Sequence, residues 1–154
     1  MKRALVKLLA SGFGTGYSPI VPGTTGTVPA WLIAWFLVGG DQTVLIGATV
    51  VMCALSVWLA HEAEKLYGHD AKKIVSDEWA GMFISVLFVP FTLTNYIIAF
   101  VAFRAFDVLK IPPAAQAERL PGGWGVTMDD VVAGVQANVS TQILIWLLAR
   151  YFTG

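Results

Sequence analysis

Ser76-Asp77-Glu78-Trp79-Ala80-Gly81-Met82-Phe83-Ile84-Ser85-Val86-Leu87-Phe88-Val89-Pro90-Phe91-Thr92-Leu93-Thr94-Asn95 opens on two carboxylates, and from Trp79 the chain then runs 25 residues without a charge to Phe103. Read as one straight helix, this stretch would hold Asp77 and Glu78 on one side of a bilayer and Arg104 and Asp107 on the other. Pro90 argues against that reading, because proline has no N–H to donate and its ring clashes with the preceding turn. The chain is therefore expected to double back as two antiparallel helices, Asp77 to Val89 and Asn95 to Leu109. The start of the first then lies beside the end of the second, and the four charges meet. Ser76 has the chemistry of an N-cap, and Asp77 and Glu78 in the first turn suit the helix dipole.

The whole chain is built on this plan. Of 154 residues, 56% are hydrophobic and 13% charged, against about 25% charged in soluble domains. Charges are absent from Leu8 to Gly40, Gln42 to Ala60, Trp79 to Phe103 and Val131 to Ala149, together 96 positions. A spanning helix needs about 20 apolar residues, a length that Thr43 to Ala60 and Val131 to Ala149 approach. The expected fold is all-α, a compact bundle of short membrane-embedded helical hairpins in a single domain, residues 1–154, with a Gly-rich loop and the polar motifs at one end. Three of the four hairpin arms are only about 18 to 23 Å long at 1.5 Å per residue, so length leaves open how many cross fully and how many stay in one leaflet.

Composition also excludes classes. Ten Lys plus Arg balance ten Asp plus Glu, which leaves no basic surplus for nucleic acid. The single cysteine, Cys53, lies in an apolar run with no basic loop beside it, so a disulfide framework, a Cys-rich zinc site and a thiolate phosphatase are all unsupported. At the N-terminus, Lys7 interrupts the apolar part of Met1 to Ala10, which reads as a retained amphipathic helix rather than a signal peptide.

Between Ser11 and Gly26, five glycines and two prolines break the helical pattern, and the segment reads as an ordered loop or a linker. A helix is expected from Thr27 as N-cap, with Pro29 in its first turn, to Val38. Gly39-Gly40-Asp41 turns the chain into a second helix from about Thr43 to Tyr67 or Gly68, which returns His61 and Glu62 towards the Gly-rich loop. After Ile111-Pro112-Pro113 closes the fourth arm, Thr127 with Asp130 imitates a capping box and opens a last helix to about Phe152.

Nearly all the scarce charges thus share one polar end. Arg104, Asp107 and Lys110 recur every three residues on one helix face. Asp77 with Glu78, and Asp129 with Asp130, are each ordinary at a helix start when taken singly. Their coincidence beside apolar helices, where ionisable groups are costly, points to function. Hard oxygen ligands of this kind suit Mg²⁺, which is commonly bound through carboxylates and substrate phosphate oxygens. The loop bearing Gly14, Thr15, Gly16 and Ser18, followed by Thr24 and Thr25, offers bare N–H groups and hydroxyls for an anion, although glycine richness serves close packing and linkers equally well. His61 and His69 read as interfacial residues rather than acid–base groups, and the six Trp and nine Phe as core and interfacial belt.

Four segments together resemble the bacterial phosphatidylglycerophosphatase A family. They are Gly12-Phe13-Gly14-Thr15-Gly16-Tyr17-Ser18-Pro19 with Pro22-Gly23-Thr24-Thr25-Gly26-Thr27; Asp77-Glu78-Trp79-Ala80-Gly81-Met82; Phe103-Arg104-Ala105-Phe106-Asp107-Val108-Leu109-Lys110; and Gly122-Gly123-Trp124-Gly125-Val126-Thr127-Met128-Asp129-Asp130-Val131-Val132-Ala133-Gly134. The resemblance runs from about Leu8 to Leu148, with the motifs in the family's order. One departure is visible, since the family usually continues Pro-Trp-Pro where this chain has Ile111-Pro112-Pro113.

The resemblance implies a small, helical, membrane-embedded, Mg²⁺-dependent enzyme that removes the terminal phosphate of phosphatidylglycerophosphate. It places Asp77, Glu78, Asp129 and Asp130 on one or two Mg²⁺ ions, with Asp107 either a further ligand or the partner that orients Arg104. Arg104 would clamp the phosphate, Lys110 would hold a headgroup phosphate, and Gly14, Thr15, Gly16, Ser18, Thr24 and Thr25 would donate to the substrate. Attack by metal-activated water and covalent attack by an aspartate are both compatible with these residues. The expected partner is a membrane phospholipid. The expected location is the bacterial cytoplasmic (inner) membrane with the site facing the cytoplasm, because the cations, among them Lys2, Lys65 and Lys72, mostly flank the polar end.

Two rival classes share these residues. A non-enzymatic transporter or assembly subunit would use the carboxylates to bind cations and release no phosphate, and a soluble helical phosphatase would leave the membrane on alkaline extraction.

Overall fold

A computed structural model describes residues 2–68, 71 and 73–153, with only the backbone for Lys2 and Thr153; His69 and Lys72, both read above, lie outside the described residues. Every regular element among them is helical: α1 (Lys2–Ala10), α2 (Pro22–Ile33), α3 (Gln42–Tyr67), α4 (Ser76–Ser85), α5 (Leu93–Leu109), α6 (Ala114–Ala117) and α7 (Gly123–Thr153). Short turns lie at Thr15–Tyr17, of 3₁₀ type, and at Ala34–Val38, of π type.

Helix boundaries depart from the sequence reading in informative ways. α2 begins at Pro22, five residues before Thr27, because a proline at the first helical position gives up only an N–H that would be unbonded there. Thr27 is therefore interior, its hydroxyl donating to the Gly23 carbonyl at 2.8 Å. Pro29 also sits inside α2, and the helix loosens into the π turn a few residues later. α4 starts at Ser76 itself, with Val75 at the cap and no side-chain cap bond, so Ser76 is not the N-cap. Its carbonyl accepts from the Ser56 hydroxyl of α3. α7 starts at Gly123, four residues before Thr127, so the imitated capping box lies within a helix already under way. α3 has Asp41 as its cap, accepting from the Thr43 and Val44 amides at 2.9 and 3.1 Å, and ends at Gly68 with φ +92°.

The ten-residue α4 is the hub. It packs on α7, α3, α2 and α5, and nine of its ten residues are buried, as befits a helix surrounded by others. Trp79, Met82 and Phe83 of α4 join Val86, Val89, Tyr96, Phe103, Ala133 and Ala137 in the main core. A smaller core joins α1 to α3 through Val6, Ala10, Leu59, Ala60 and Ala63. α4 and α5 pack on each other, and α7 packs more extensively against both.

α4 stops at Ser85, earlier than Val89. Its terminal carbonyls are met by Asn138 of α7. The Asn138 amide is within hydrogen-bond distance of the carbonyls of Ile84, Ser85 and Leu87 at 3.1, 3.1 and 2.6 Å, three acceptors sharing two hydrogens. Buried away from water, such carbonyls need partners. Replacing Asn138 with Leu is expected to destabilise the protein by about 1–3 kcal/mol, read as lowered thermal stability in detergent. Unchanged stability would show that Asn138 is not the cap that holds this end.

Two helices, Gln42–Tyr67 and Gly123–Phe152, are long and apolar enough to cross a membrane, and only 28% and 22% of their most apolar windows are buried within the protein. Their outward faces carry Val50, Val51, Val139, Ile143 and Trp146, all exposed.

Candidate active site

Both acidic pairs sit at one end of the core, and glycine brings them together. Gly81 lies four residues after Asp77, and Gly134 four residues after Asp130, so each glycine shares a helix face with its aspartate. At this crossing α4 and α7 run backbone to backbone. A Cβ on Gly134 would lie 2.5 Å from the Gly81 carbonyl oxygen, and one on Gly81 would lie 2.7 Å from the Asp130 carbonyl oxygen and 2.4 Å from the Phe103 ring. One turn away, carboxylate oxygens of Asp77, Glu78 and Asp130 converge within 4.8 Å of one another. All three side chains are buried. This repeated acid-x-x-x-Gly spacing was present in the sequence and is the signal that pairs the two helices.

Glu78 Oε2 and Asp130 Oδ1 are buried with no hydrogen-bond partner. Desolvation by burial, then the neighbouring Asp130 charge, push the Glu78 carboxyl up to about 8, against a smaller opposing pull from Asp77 and Arg104. Asp77 is likewise raised well above the ordinary range, by burial and then by Glu78. Such a group of carboxylates is strained by like-charge repulsion and is relieved by a proton or a cation.

α5 supplies the counter-charges. The Arg104 guanidinium pairs with Asp107 at 2.7 Å and donates to the Thr27 hydroxyl at 3.3 Å, while its buried Nε–H has no partner. Gly23 lies where these groups converge. A Cβ there would stand 2.5 Å from Glu78 Oε1 and 2.8 Å from Arg104 Nη2, so any side chain at this position would displace the ends of these two groups. Lys110 ends α5 in the left-handed conformation, φ +46°. Its ammonium lies between Glu118 at 2.7 Å and Asp129 at 2.9 Å. Partial burial disfavours that charge, but the two carboxylates outweigh it and hold the ammonium above its usual range.

Pro22, Gly23, Ala71, Ile74, Asp77, Glu78, Asp107, Lys110, Asp129 and Asp130 line one cavity of about 220 Å³. Asp77, Glu78, Asp107, Asp129, Asp130 and Lys110 are thus gathered as expected, while Arg104 is not itself a lining residue but pairs with Asp107, which is. Asp129 turns to Lys110 and stands apart from the three-carboxylate group.

The Gly-rich segment reaches the cavity only through Pro22 and Gly23. Thr15 donates to the Ser11 and Gly12 carbonyls, and Thr25 to Ser18 and the Ile20 and Val21 carbonyls. Gly16 packs on the Lys73 backbone, where a Cβ would come to 2.4 Å of the carbonyl oxygen. Gly14, Thr15, Gly16, Ser18, Thr24 and Thr25 are not among the cavity-lining residues. His61 faces the Gly122–Gly123 turn that begins α7, not the Gly-rich loop; Tyr67 at the end of α3 meets that loop through the Tyr17 hydroxyl. Ala71, Ile74 and Glu118 escaped the sequence reading as site residues, because no chemistry distinguishes them before the chain is folded, and Pro22, Gly23 and Thr27 enter it only as part of the Gly-rich loop and the helix start after it.

The sequence profile of the phosphatidylglycerophosphatase A family matches residues 8–145. A Bacteroides thetaiotaomicron protein named as a candidate phosphatidylinositol-3-phosphatase is 36% identical over 96% of this chain and 99% of its own length. Proteins named phosphatidylglycerophosphatase A from Escherichia coli and Haemophilus influenzae are 38% and 34% identical, over 91% and 93% of this chain and 81% and 91% of theirs. No solved structure matches. With all four motifs inside the matched region, and the carboxylates and Lys110 of three of them lining one cavity, the chain belongs to the phosphatidylglycerophosphatase A family.

Proposed function

We propose that this protein, as one domain embedded in the bacterial cytoplasmic membrane with its site facing the cytoplasm, hydrolyses the terminal phosphomonoester of phosphatidylglycerophosphate to phosphatidylglycerol and inorganic phosphate. The observation that carries the proposal is the buried group of Asp77, Glu78 and Asp130 in a cavity shared with Lys110 and with Asp107, the ion-pair partner of Arg104. Family membership supports the same reading. The long apolar faces of α3 and α7 support embedding.

Mg²⁺ fits the donor set. Three carboxylates within reach of one ion, two of them with a buried oxygen lacking any partner, provide hard oxygen ligands, and a cation would relieve their mutual repulsion. Asp77, Glu78 and Asp130 would hold the ion, and Asp129 lies on the same cavity as a further ligand. When bound, Mg²⁺ supplies charge neutralisation on the phosphate and a water of lowered pKa.

The rest is done by side chains. Arg104, fixed by Asp107 and Thr27, has a free Nε–H and a planar fork suited to phosphate oxygens. Lys110 adds a point charge at the rim. Gly23 lets the phosphate approach the backbone between Glu78 and Arg104.

The test is phosphate release by the detergent-solubilised protein from phosphatidylglycerophosphate, with phosphatidylinositol 3-phosphate and phosphatidic acid as competitors, in Mg²⁺ and in excess EDTA. Metal-dependent release that favours phosphatidylglycerophosphate is expected. Preference for phosphatidylinositol 3-phosphate would move the substrate to the one in the Bacteroides relative's name, and no release from a folded sample would defeat the phosphatase reading.

A further inference from the structure

The seam between α2 and α5 continues out of the active site. At its polar end stand Gly23 and Thr27 of α2 and Arg104 of α5, joined by the Thr27–Arg104 hydrogen bond. Moving away along α2, the next residues on this side are Val28 and Trp31. Along α5 they are Phe100 and Ile97, four and seven residues before Arg104, so they recur on its face. These four apolar side chains line a groove of about 220 Å³.

The groove is open to the outside, with Val28 and Ile97 both exposed. Its far end is fixed by the Trp31 indole, which donates to the Tyr96 carbonyl at 2.9 Å and so leaves the body of the ring as apolar wall. At 1.5 Å per residue the groove reaches roughly 10 Å from Arg104. The two helices pack only sparsely against each other.

We infer that this groove receives one fatty acyl chain of the lipid whose phosphate enters the acidic cavity. The inference rests on the phosphatase reading above and adds where the tail lies. Continuity carries it: the same two helices form the phosphate-facing wall and the apolar groove, with Arg104 at the junction. A phosphomonoester lipid has that same sequence of parts, a dianionic head followed by hydrocarbon. The tail remains on the lipid-facing side while the head passes between α2 and α5, so the substrate reaches the site laterally. The groove thereby acts as a specificity determinant, favouring a diacyl substrate over its deacylated headgroup.

Filling the groove tests this. Val28→Trp and, from the opposite wall, Ile97→Trp are compared with the unmodified protein on dioleoyl phosphatidylglycerophosphate in mixed micelles and on the water-soluble deacylated compound, glycerophosphoglycerophosphate. The ratio of kcat/KM for the diacyl compound to that for the soluble one is expected to fall at least tenfold in both variants. In the unmodified protein, a diacyl substrate analogue with a diazirine in one chain should label Val28, Trp31, Ile97 or Phe100, and excess unlabelled substrate should suppress the labelling. An unchanged ratio, whether activity is kept on both compounds or lost on both alike, overturns the inference. So does labelling of the groove that excess substrate fails to suppress, which is the mark of bulk lipid. If the unmodified protein hydrolyses neither compound, the phosphatase reading itself has failed, and that outcome is recognised before any variant is made.

Discussion

Asp130→Asn is expected to lower phosphate release by about 10³-fold while leaving the protein folded and no less stable. The substitution keeps the shape of a side chain that is 3% exposed and removes its charge. Asp130 shares the cluster with Asp77 and Glu78, and loss of one charged ligand from a site that must bind a cation and steady a phosphate in its transition state costs on the order of 10²–10³ or more. Stability should move the other way. Repulsion from Asp130 is one of the forces that lift the Glu78 carboxyl to about 8, so neutralising Asp130 relieves the metal-free cluster. Thermal unfolding in EDTA and a phosphate-release assay in Mg²⁺ read the two effects separately. Full activity in Asp130→Asn, Asp77→Asn and Glu78→Gln alike would end the metal-site reading, whereas loss of both activity and stability would mark Asp130 as a structural residue.

Gly134→Ala should cost about 100-fold in activity with no change to any charged group. The added methyl would lie 2.5 Å from the Gly81 carbonyl oxygen, and because that atom is backbone, the two helices must separate. Movement of about 1 Å at a catalytic arrangement is enough for a 10²-fold loss, and here the moving parts carry Asp77 and Glu78 on one side and Asp130 on the other. Gly47→Ala in α3 provides the contrast. A Cβ there meets nothing within 4 Å, so alanine's better helix propensity should make that variant as stable or slightly more so, with activity retained. Full activity of Gly134→Ala would show that the close crossing does not set the spacing of the carboxylates.

Much of this arrangement could be read from the chain before it was folded. The scarcity of charge gave the helices, since a sequence with 96 uncharged positions in four runs has few places to put its ionisable groups. A break between the Asp77 and Arg104 segments was legible from Pro90, although α4 ends five residues before it, at Ser85, and the acidic pairs, Arg104, Asp107 and Lys110 lie at one end. Helix starts were less legible. Ser76 and Thr127 have capping chemistry but lie inside helices that begin at or before them, because a buried segment gains more from continued packing than from a single side-chain cap. Asp129 and Asp130, adjacent and chemically alike, could not be told apart in sequence; folded, one faces Lys110 and the other joins the buried cluster.

What the sequence by itself determined was the class of element and the inventory of the site: helices, because apolar runs and prolines act locally, and a set of carboxylates and cations, because composition leaves so few of them. What only the tertiary structure decided was which of those groups touch. The contact of Gly81 with Gly134, the approach of Glu78 and Arg104 to Gly23, and the hold of Thr27 on Arg104 all join residues more than 50 positions apart. Helical periodicity fixes the face on which a residue lies, but the partner of that face is chosen by the packing of the whole bundle, in which a missing side chain allows two backbones to meet and so draws three like charges into one place.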